Sequence, residues 1–183
     1  MMIVYLVDEN GRYIQELSGT ADQIVASVPD GFTTVVVAPQ RDSDYWNGSN
    51  WVDIGARPAH YMEFDYTTKA WTDTRNLVDV QKAKWNQVKV ARDLFEFSGF
   101  TYNGDVFDSD LQSQIRVIGA VTIGAPTIWT LKNNELVSLD DQGIVGLGQA
   151  LADHIQSAHE RGRAARKAIY DSISPEQVDA VIF

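Results

Sequence analysis

The chain contains no cysteine and too few basic residues to balance its acidic ones. The missing cysteines exclude disulfide bonds, thiolate nucleophiles and cysteine-ligated zinc. Lysine and arginine number 15 against 25 aspartates and glutamates, which gives a formal net charge of -10. Nucleic-acid affinity depends on cations that neutralise phosphates, and anionic membranes repel an acidic surface. We therefore expect neither a nucleic-acid partner nor a membrane partner.

Long hydrophobic runs are also absent. The longest apolar stretches, such as residues 1–7, are far too short to cross a bilayer. The start of the chain has no basic segment ahead of an apolar one, so a signal peptide is not expected. With 44% hydrophobic and 22% charged residues, the chain has the composition of a protein that folds around a core.

The sequence pattern changes near Asn76, and this change predicts an α+β fold in two domains. Residues 1–75 consist of short β-type runs separated by Asn-Gly and Asp-Gly turns, which supply the positive φ angles of tight hairpins. They predict an N-terminal antiparallel β module with a buried strand over residues 32–38 and one short helix capped by Thr20. Residues 76–183 alternate long helical patterns with two small hairpins and predict an α-rich C-terminal domain.

The three long helices predicted in the second domain carry apolar stripes at three- and four-residue steps, which mark the sides expected to be buried. The first helix runs from Asn76 or Asp79 to about Phe97, with a stripe of Trp85, Val88 and Phe95. The second begins after an acidic cap at residues 108–110, with a stripe of Leu111, Ile115, Ile118 and Thr122. The third covers about residues 142–172, and its stripe includes Ile144, Leu147, Leu151, Ile155, Ala158, Ala165 and Ile169.

An aromatic cluster in the first domain allows two interpretations. Its members are Tyr45, Trp46, Trp51, Tyr61, Phe64, Tyr66 and Trp71. Aromatic rings on hairpins stack on sugars, so Trp46, Trp51 and Trp71 are candidate glycan contacts. A domain of this size buries little surface, however, and large rings are an efficient way to fill its core. We favour the core interpretation.

Neither a catalytic set nor a metal site is apparent. His154 and His159 share a helix, but five residues rotate one about 140° from the other, so a shared metal is not expected. The aspartates near Asn103 lack the central Gly and terminal Glu of a calcium loop, and helix capping explains them better. No spaced set of acid, base and nucleophile is present. We therefore expect no enzyme, no metal and no cofactor.

The end of the chain offers a candidate docking element. Arg161, Arg163, Arg166 and Lys167 concentrate positive charge on one helix of an acidic protein, and the last residues, including Ile182 and Phe183, are apolar. These six residues are our candidate contacts for a protein partner. Two simpler interpretations compete: the cations can offset the helix macrodipole, and the apolar end can fold back on its own helices.

The second half resembles an uncharacterised C-terminal domain common in tail and tail-fibre-like proteins of tailed bacteriophages. The resemblance covers roughly Gln81 to Phe183. It is carried by Trp85, Val88-Lys89 and Arg92-Asp93, by the run from Ser98 to Asp110, by Trp129 to Asn134, and by Leu139, His154, His159 and the helix over residues 163–169. The first half, with Tyr45 to Val52, looks more loosely like the N-terminal portions of tail-fibre and tail-fibre-assembly proteins. The resemblance implies a role in the virion or its assembly and transfers no catalytic residue.

Together these features predict a non-enzymatic structural or adaptor protein of a tailed-phage virion, in the tail, baseplate or fibre attachment region. It would be made in the host cytoplasm and act through contacts with other tail, baseplate or fibre proteins, as a homo-oligomer within the assembly. One alternative is a tail-fibre assembly chaperone, present during morphogenesis but absent from the particle. Another is a receptor- or glycan-binding module that uses the three tryptophans.

Overall fold

The computed structural model describes all residues from Met1 to Phe183 and shows two compact units, Met1–Thr74 and Arg75–Phe183. The predicted fold class is confirmed: antiparallel strands dominate the first unit and helices dominate the second. The sequence pattern placed the domain boundary after residue 75, one residue from the division between the units.

A three-stranded antiparallel sheet organises the first unit. Its strands are β1 (Met2–Val7), β2 (Tyr13–Gly19) and β3 (Thr33–Val35), in the order β2-β1-β3. Helix α1 (Ala21–Ser27) begins with a capping box. The Thr20 hydroxyl accepts a hydrogen bond from the backbone N–H of Gln23, and the side-chain oxygen of Gln23 accepts one from the backbone N–H of Thr20. Gly11 follows the first turn at φ +73°, where a Cβ would lie 2.0 Å from the Trp46 carbonyl oxygen.

Two short hairpins complete the first unit. One pairs β4 (Tyr45–Trp46) with β5 (Trp51–Val52), and the other pairs β6 (Met62–Asp65) with β7 (Ala70–Asp73). Asn47 closes the first turn by accepting from the amides of Ser49 and Asn50. Asp65 holds the second turn, and its hydrogen bonds from Thr67 and Thr68 keep its pKa below the ordinary aspartate value.

The predicted buried strand over residues 32–38 was too long. Strand β3 pairs with β1 only from Thr33 to Val35, and the side chains of Val36 and Val37 are exposed. β-Branched residues favour a strand only where neighbouring side chains and a paired backbone accommodate them. No strand pairs with residues 36–38. Val35 is therefore buried in the sheet, whereas Val36, the same residue type, lies beyond the paired strand and is exposed.

The second unit contains four helices and two hairpins. The helices are α2 (Leu77–Glu96), α3 (Leu111–Ile123), α4 (Asp141–Asp171) and α5 (Pro175–Asp179). The hairpins pair β8 (Phe100–Tyr102) with β9 (Asp105–Phe107), and β10 (Thr127–Thr130) with β11 (Leu136–Leu139). Asn103 and Gly104 both have positive φ, as a tight Asn-Gly turn requires.

Every helix of the second unit starts at a polar cap. Asn76, Asp110, Asp140 and Ser174 each accept a hydrogen bond from a backbone amide in the first turn. Asp110 also accepts from the Ser113 hydroxyl, and this bond is the main reason its pKa lies below the ordinary value. The caps at Asn76 and Asp110 confirm two of the predicted helix starts within the alternatives that the sequence left open.

Helix α4 contributes side chains to two separate hydrophobic clusters and so connects them within the second unit. Its N-terminal half, with Ile144, Leu147 and Leu151, packs with both hairpins and α3. Its C-terminal half, with Ala165 and Ile169, packs against Val88 of α2 and Val178 of α5. The stripe predicted for this helix is confirmed, with Ile155 partly buried and the other members fully buried.

The buried side predicted for α3 was wrong. Leu111, Ile115, Ile118 and Thr122 face solvent, whereas the buried residues of this helix are Gln114 and Val117. Helix α3 has apolar side chains on both sides, so periodicity alone gives two candidate faces. Gln114 is accepted in the interior because its amide nitrogen donates to the Ser109 carbonyl at 3.0 Å and the Glu96 carboxylate at 3.3 Å.

Candidate functional site

The three candidate tryptophans lie in two different hairpins. Trp46 and Trp51 oppose each other across the β4–β5 hairpin, with ring centroids 5.6 Å apart at 64°. Trp71 lies in the next hairpin with its ring edge-to-face against Phe64, 5.5 Å away. The indole nitrogens of Trp51 and Trp71 donate to the carbonyls of Val37 and Ile54. These contacts hold half-buried rings inside their own unit, which favours the core interpretation.

Asp44 is a buried carboxylate beside this aromatic cluster. Its Oδ2 accepts from the Arg41 amide at 3.1 Å, but its Oδ1 has no hydrogen-bond partner. Burial raises the pKa of nearby Tyr66, and the negative charge of Asp44 adds to this effect. No group of three or more histidine or acidic side chains lies close enough to hold a metal ion.

The four basic residues of α4 divide between two kinds of contact. The Arg161 guanidinium lies 4.5 Å from the Phe95 ring centroid and 4.4 Å from that of Phe183. Arg166 lies 5.5 Å above Trp85. Arg163 and Lys167 are exposed and pair within the helix, to Glu160 and Asp171. Exposed pairs of this kind contribute only about 0.3–0.5 kcal/mol. The structure therefore does not gather the four cations into one patch.

The apolar end of the chain packs on its own unit. Val178 is fully buried, and Val181 and Phe183 pack against the cluster of Val88, Ala165 and Ile169. Arg161 also donates to the main-chain oxygen of Phe183 at 2.9 Å. Of the two apolar residues proposed for docking, only Ile182 is exposed, at 86%. The fold-back interpretation accounts for Phe183.

The predicted stripe of α2 also packs within the second unit. Val88 is buried, whereas Trp85 and Phe95 are half-buried. Each half-buried ring is covered on its outer side by an arginine of α4, and Phe95 also stacks on His154 at 4.8 Å. The two rings therefore form the edge of the α2–α4 contact, and the cations lie over them.

A polar network at the end of α2 was not anticipated from the sequence. The buried Ser109 hydroxyl donates to the Glu96 carbonyl at 2.5 Å and accepts from the Gly99 amide at 2.8 Å. His154 Nε2 lies 3.1 Å from the carbonyls of Phe95 and Glu96. The last carbonyls of a helix lack partners within it, so these side chains act as caps. His159 contacts the same residue, with Nε2 3.4 Å from the Glu96 carboxylate.

Replacing Ser109 with Ala should destabilise the second unit by about 1–3 kcal/mol, because the Gly99 amide would lose its partner in a buried setting. Urea denaturation followed by helical circular dichroism measures the change. The exposed Ser98→Ala is the matched control and should have a much smaller effect. Equal stabilities of Ser109→Ala and the unmodified chain would contradict the capping role.

The outer face of α3 exposes a row of large apolar side chains. Leu111, Ile115 and Ile118 are 66%, 63% and 62% exposed. Leu111, Ile115, Ile118 and Thr122 follow steps of four, three and four residues, which is the spacing of side chains in helix–helix seams. Arg116 is the one charged residue between Leu111 and Ile123. We call this surface the α3 outer face.

An apolar groove lies beside the α3 outer face, between α3 and α4. It has a volume of about 340 Å³, and no charged side chain lines it. At its base Gly148 brings the two helices close together, since a Cβ there would lie 2.5 Å from Val121 Cγ2. The lining residues are Val117, Ile118, Val121, Thr122, Val145, Gly148, Gln149, Leu151, Ala152 and Ile155.

The fold and its surfaces define a protein with an antiparallel β unit followed by a compact α-rich unit that exposes an apolar helix face. No helix combines the length and hydrophobicity that membrane crossing requires. Residues 79–182, more than half of the chain, match a family described as a domain of unknown function (DUF4376), and the chain belongs to that family. The matched residues form nearly all of the second unit. No curated protein and no solved structure matches the chain.

Proposed function

We propose that this protein is a non-enzymatic structural or adaptor subunit of a tailed-phage virion, located in the tail, baseplate or fibre attachment region. The observation that carries the proposal is the α3 outer face with its adjoining groove. Leu111, Ile115 and Ile118 each leave most of their apolar surface in water. Covering such surface is favourable by about 25 cal/mol per Å², so a contiguous patch of this kind is typical of a protein contact.

The resemblance to phage tail proteins supplies the biological setting of the proposal. It runs from Gln81 to Phe183, and the α3 outer face and groove lie within that stretch. The family description gives no function, so the setting rests on the residues quoted from the sequence. The charge balance adds support, since a chain with a formal charge of -10 is better suited to protein partners than to nucleic acid.

The proposal is tested by mass spectrometry of purified particles from a phage that encodes this chain. The expected result is that the protein is present in the intact virion, at a fixed ratio to known tail proteins. Ile118→Glu should reduce its incorporation, because a carboxylate on the α3 outer face must be desolvated in the contact. Leu136→Glu in β11 is the matched control, since Leu136 is 70% exposed and lies outside the groove.

Three other outcomes separate the alternatives. A protein that is needed for particle assembly but missing from the finished virion would favour the assembly-chaperone hypothesis. A protein that is absent from particles and dispensable for their formation would refute the proposal. Glycan-array binding that disappears in Trp46→Ala, with the fold intact, would favour the receptor-binding hypothesis instead.

A further inference from the structure

We propose that the α3 outer face and the α3–α4 groove together form the interface between two copies of this chain, related by a two-fold axis. The inference rests on the proposed function, because it assigns the occupant of one of the protein contacts of that adaptor. It names a second copy rather than a different virion protein as the molecule that covers Leu111, Ile115 and Ile118.

The α3 outer face and the groove together can form a self-complementary surface. A two-fold interface uses the same patch on both molecules, so one surface must supply both the projecting side chains and the space that receives them. Here the projecting row and the groove adjoin, since Ile118 belongs to both and Ile115 lies one turn before it. Antiparallel packing of the two α3 helices places Ile115 of one copy beside Ile118 of the other. The steps of four, three and four residues suit this packing.

The charge distribution of the chain also favours a second copy at this surface. Two molecules that each carry a formal charge of -10 repel one another, and this repulsion disfavours a contact between copies least at an uncharged surface. The groove has no charged lining residue, and α3 contains one charged residue, Arg116. A partner with a different sequence and an opposite charge would be attracted to an acidic surface of this chain. The neutral face is the place where a like-charged copy meets the least repulsion.

Gly119 provides a further supporting detail. It lies in the middle of α3, one turn after Ile115, and is exposed with open space around the position of a Cβ. Glycine weakens the interior of a helix, so its presence there needs another explanation. The absent side chain lets a second helix approach the backbone closely beside Ile115 and Ile118. We therefore include Gly119 in the interface.

The size of the surface sets the strength of the expected association. Stable interfaces typically involve roughly 20–30 residues a side, and one helix face with one groove supplies fewer. We therefore expect a reversible dimer whose population rises with protein concentration. Assembly into a particle would raise the local concentration and so favour the contact.

Light scattering coupled to gel filtration tests the proposal on the full chain. The unmodified protein should shift with increasing concentration from the mass of one chain, 20.4 kDa, towards twice that mass. Ile118→Glu should remain at the mass of one chain, whereas Leu136→Glu should behave like the unmodified protein. Gly119→Gln should also abolish the dimer while improving the helix propensity of α3, so its loss of association cannot be attributed to unfolding.

Cross-linking tests the geometry of the interface and uses the absence of native cysteine. Ile115→Cys should form a disulfide-linked dimer under mild oxidation much faster than Leu136→Cys, because the two copies of position 115 lie near the proposed axis. A mass of one chain at every concentration, or equal cross-linking rates for the two variants, would overturn the inference. If such a monomer is still found in virions, the proposed function stands and only the homodimer contact fails.

Discussion

Phe107→Ala should destabilise the second unit by about 3–5 kcal/mol, the largest effect that we expect from a single substitution. Phe107 is 1% exposed, and its ring lies against Phe100 and Tyr102, with centroids 5.7 and 6.3 Å away. It joins the β8–β9 hairpin to the cluster that contains Ile144 and Leu147 of α4. Removing the ring leaves a cavity that this close packing cannot fill without rearrangement.

The neighbouring Val106 provides the control for this prediction. Successive side chains of a strand point to opposite faces, and Val106 is 44% exposed where Phe107 is buried. Val106→Ala should therefore change the free energy of unfolding by less than about 0.5 kcal/mol. Urea denaturation followed by helical circular dichroism reports on the second unit, because four of the five helices lie there. A loss below about 1 kcal/mol for Phe107→Ala would show that the hairpin is not part of the core.

Removal of residues 173–183 should destabilise the second unit strongly, because this segment covers one of its two hydrophobic clusters. Val178 is fully buried against Val88, Ala165 and Ile169, and its contribution alone is about 1.5–3 kcal/mol. Arg161 loses the Phe183 ring and its main-chain oxygen.

Thermal unfolding of the truncated and unmodified chains measures this loss. Ile182→Ala is the control: its side chain is 86% exposed, so the melting temperature should hardly change. Val178→Ala should reproduce part of the effect of truncation without shortening the chain. A truncated protein with unchanged stability that fails to enter particles would instead restore the end of the chain as a docking element.

The candidate contact surface lies on α3 in the structure, rather than on α4 and the end of the chain as the sequence indicated. The sequence pointed to Arg161, Arg166 and Phe183, but these side chains contact one another or other side chains of the second unit. The apolar stripe of α3 was expected in the core, but its side chains are exposed. The contact surface that we propose therefore lies in the same half of the chain as the predicted docking residues, but on a different helix.

The sequence by itself determined the features that depend on near neighbours along the chain. The N-caps at Thr20 and Asp110 and the Asn103-Gly104 turn need only a side chain and the backbone a few residues away. The buried stripe of α4 was also predictable, because its polar residues leave a single apolar side. The α+β order of the two units follows from the same local patterns.

Only the tertiary structure decided which side of α3 is buried and where the cations of α4 lie. Both sides of α3 are apolar, so burial depends on what packs against it: α4 contacts one side, and the bonds of Gln114 to Ser109 and Glu96 fix the rotation of the helix. The position of Arg161 depends on Phe95 and Phe183, which are distant in sequence. Contacts between distant residues have no periodic signature, and for that reason the exposed face of α3 became visible only in the folded protein.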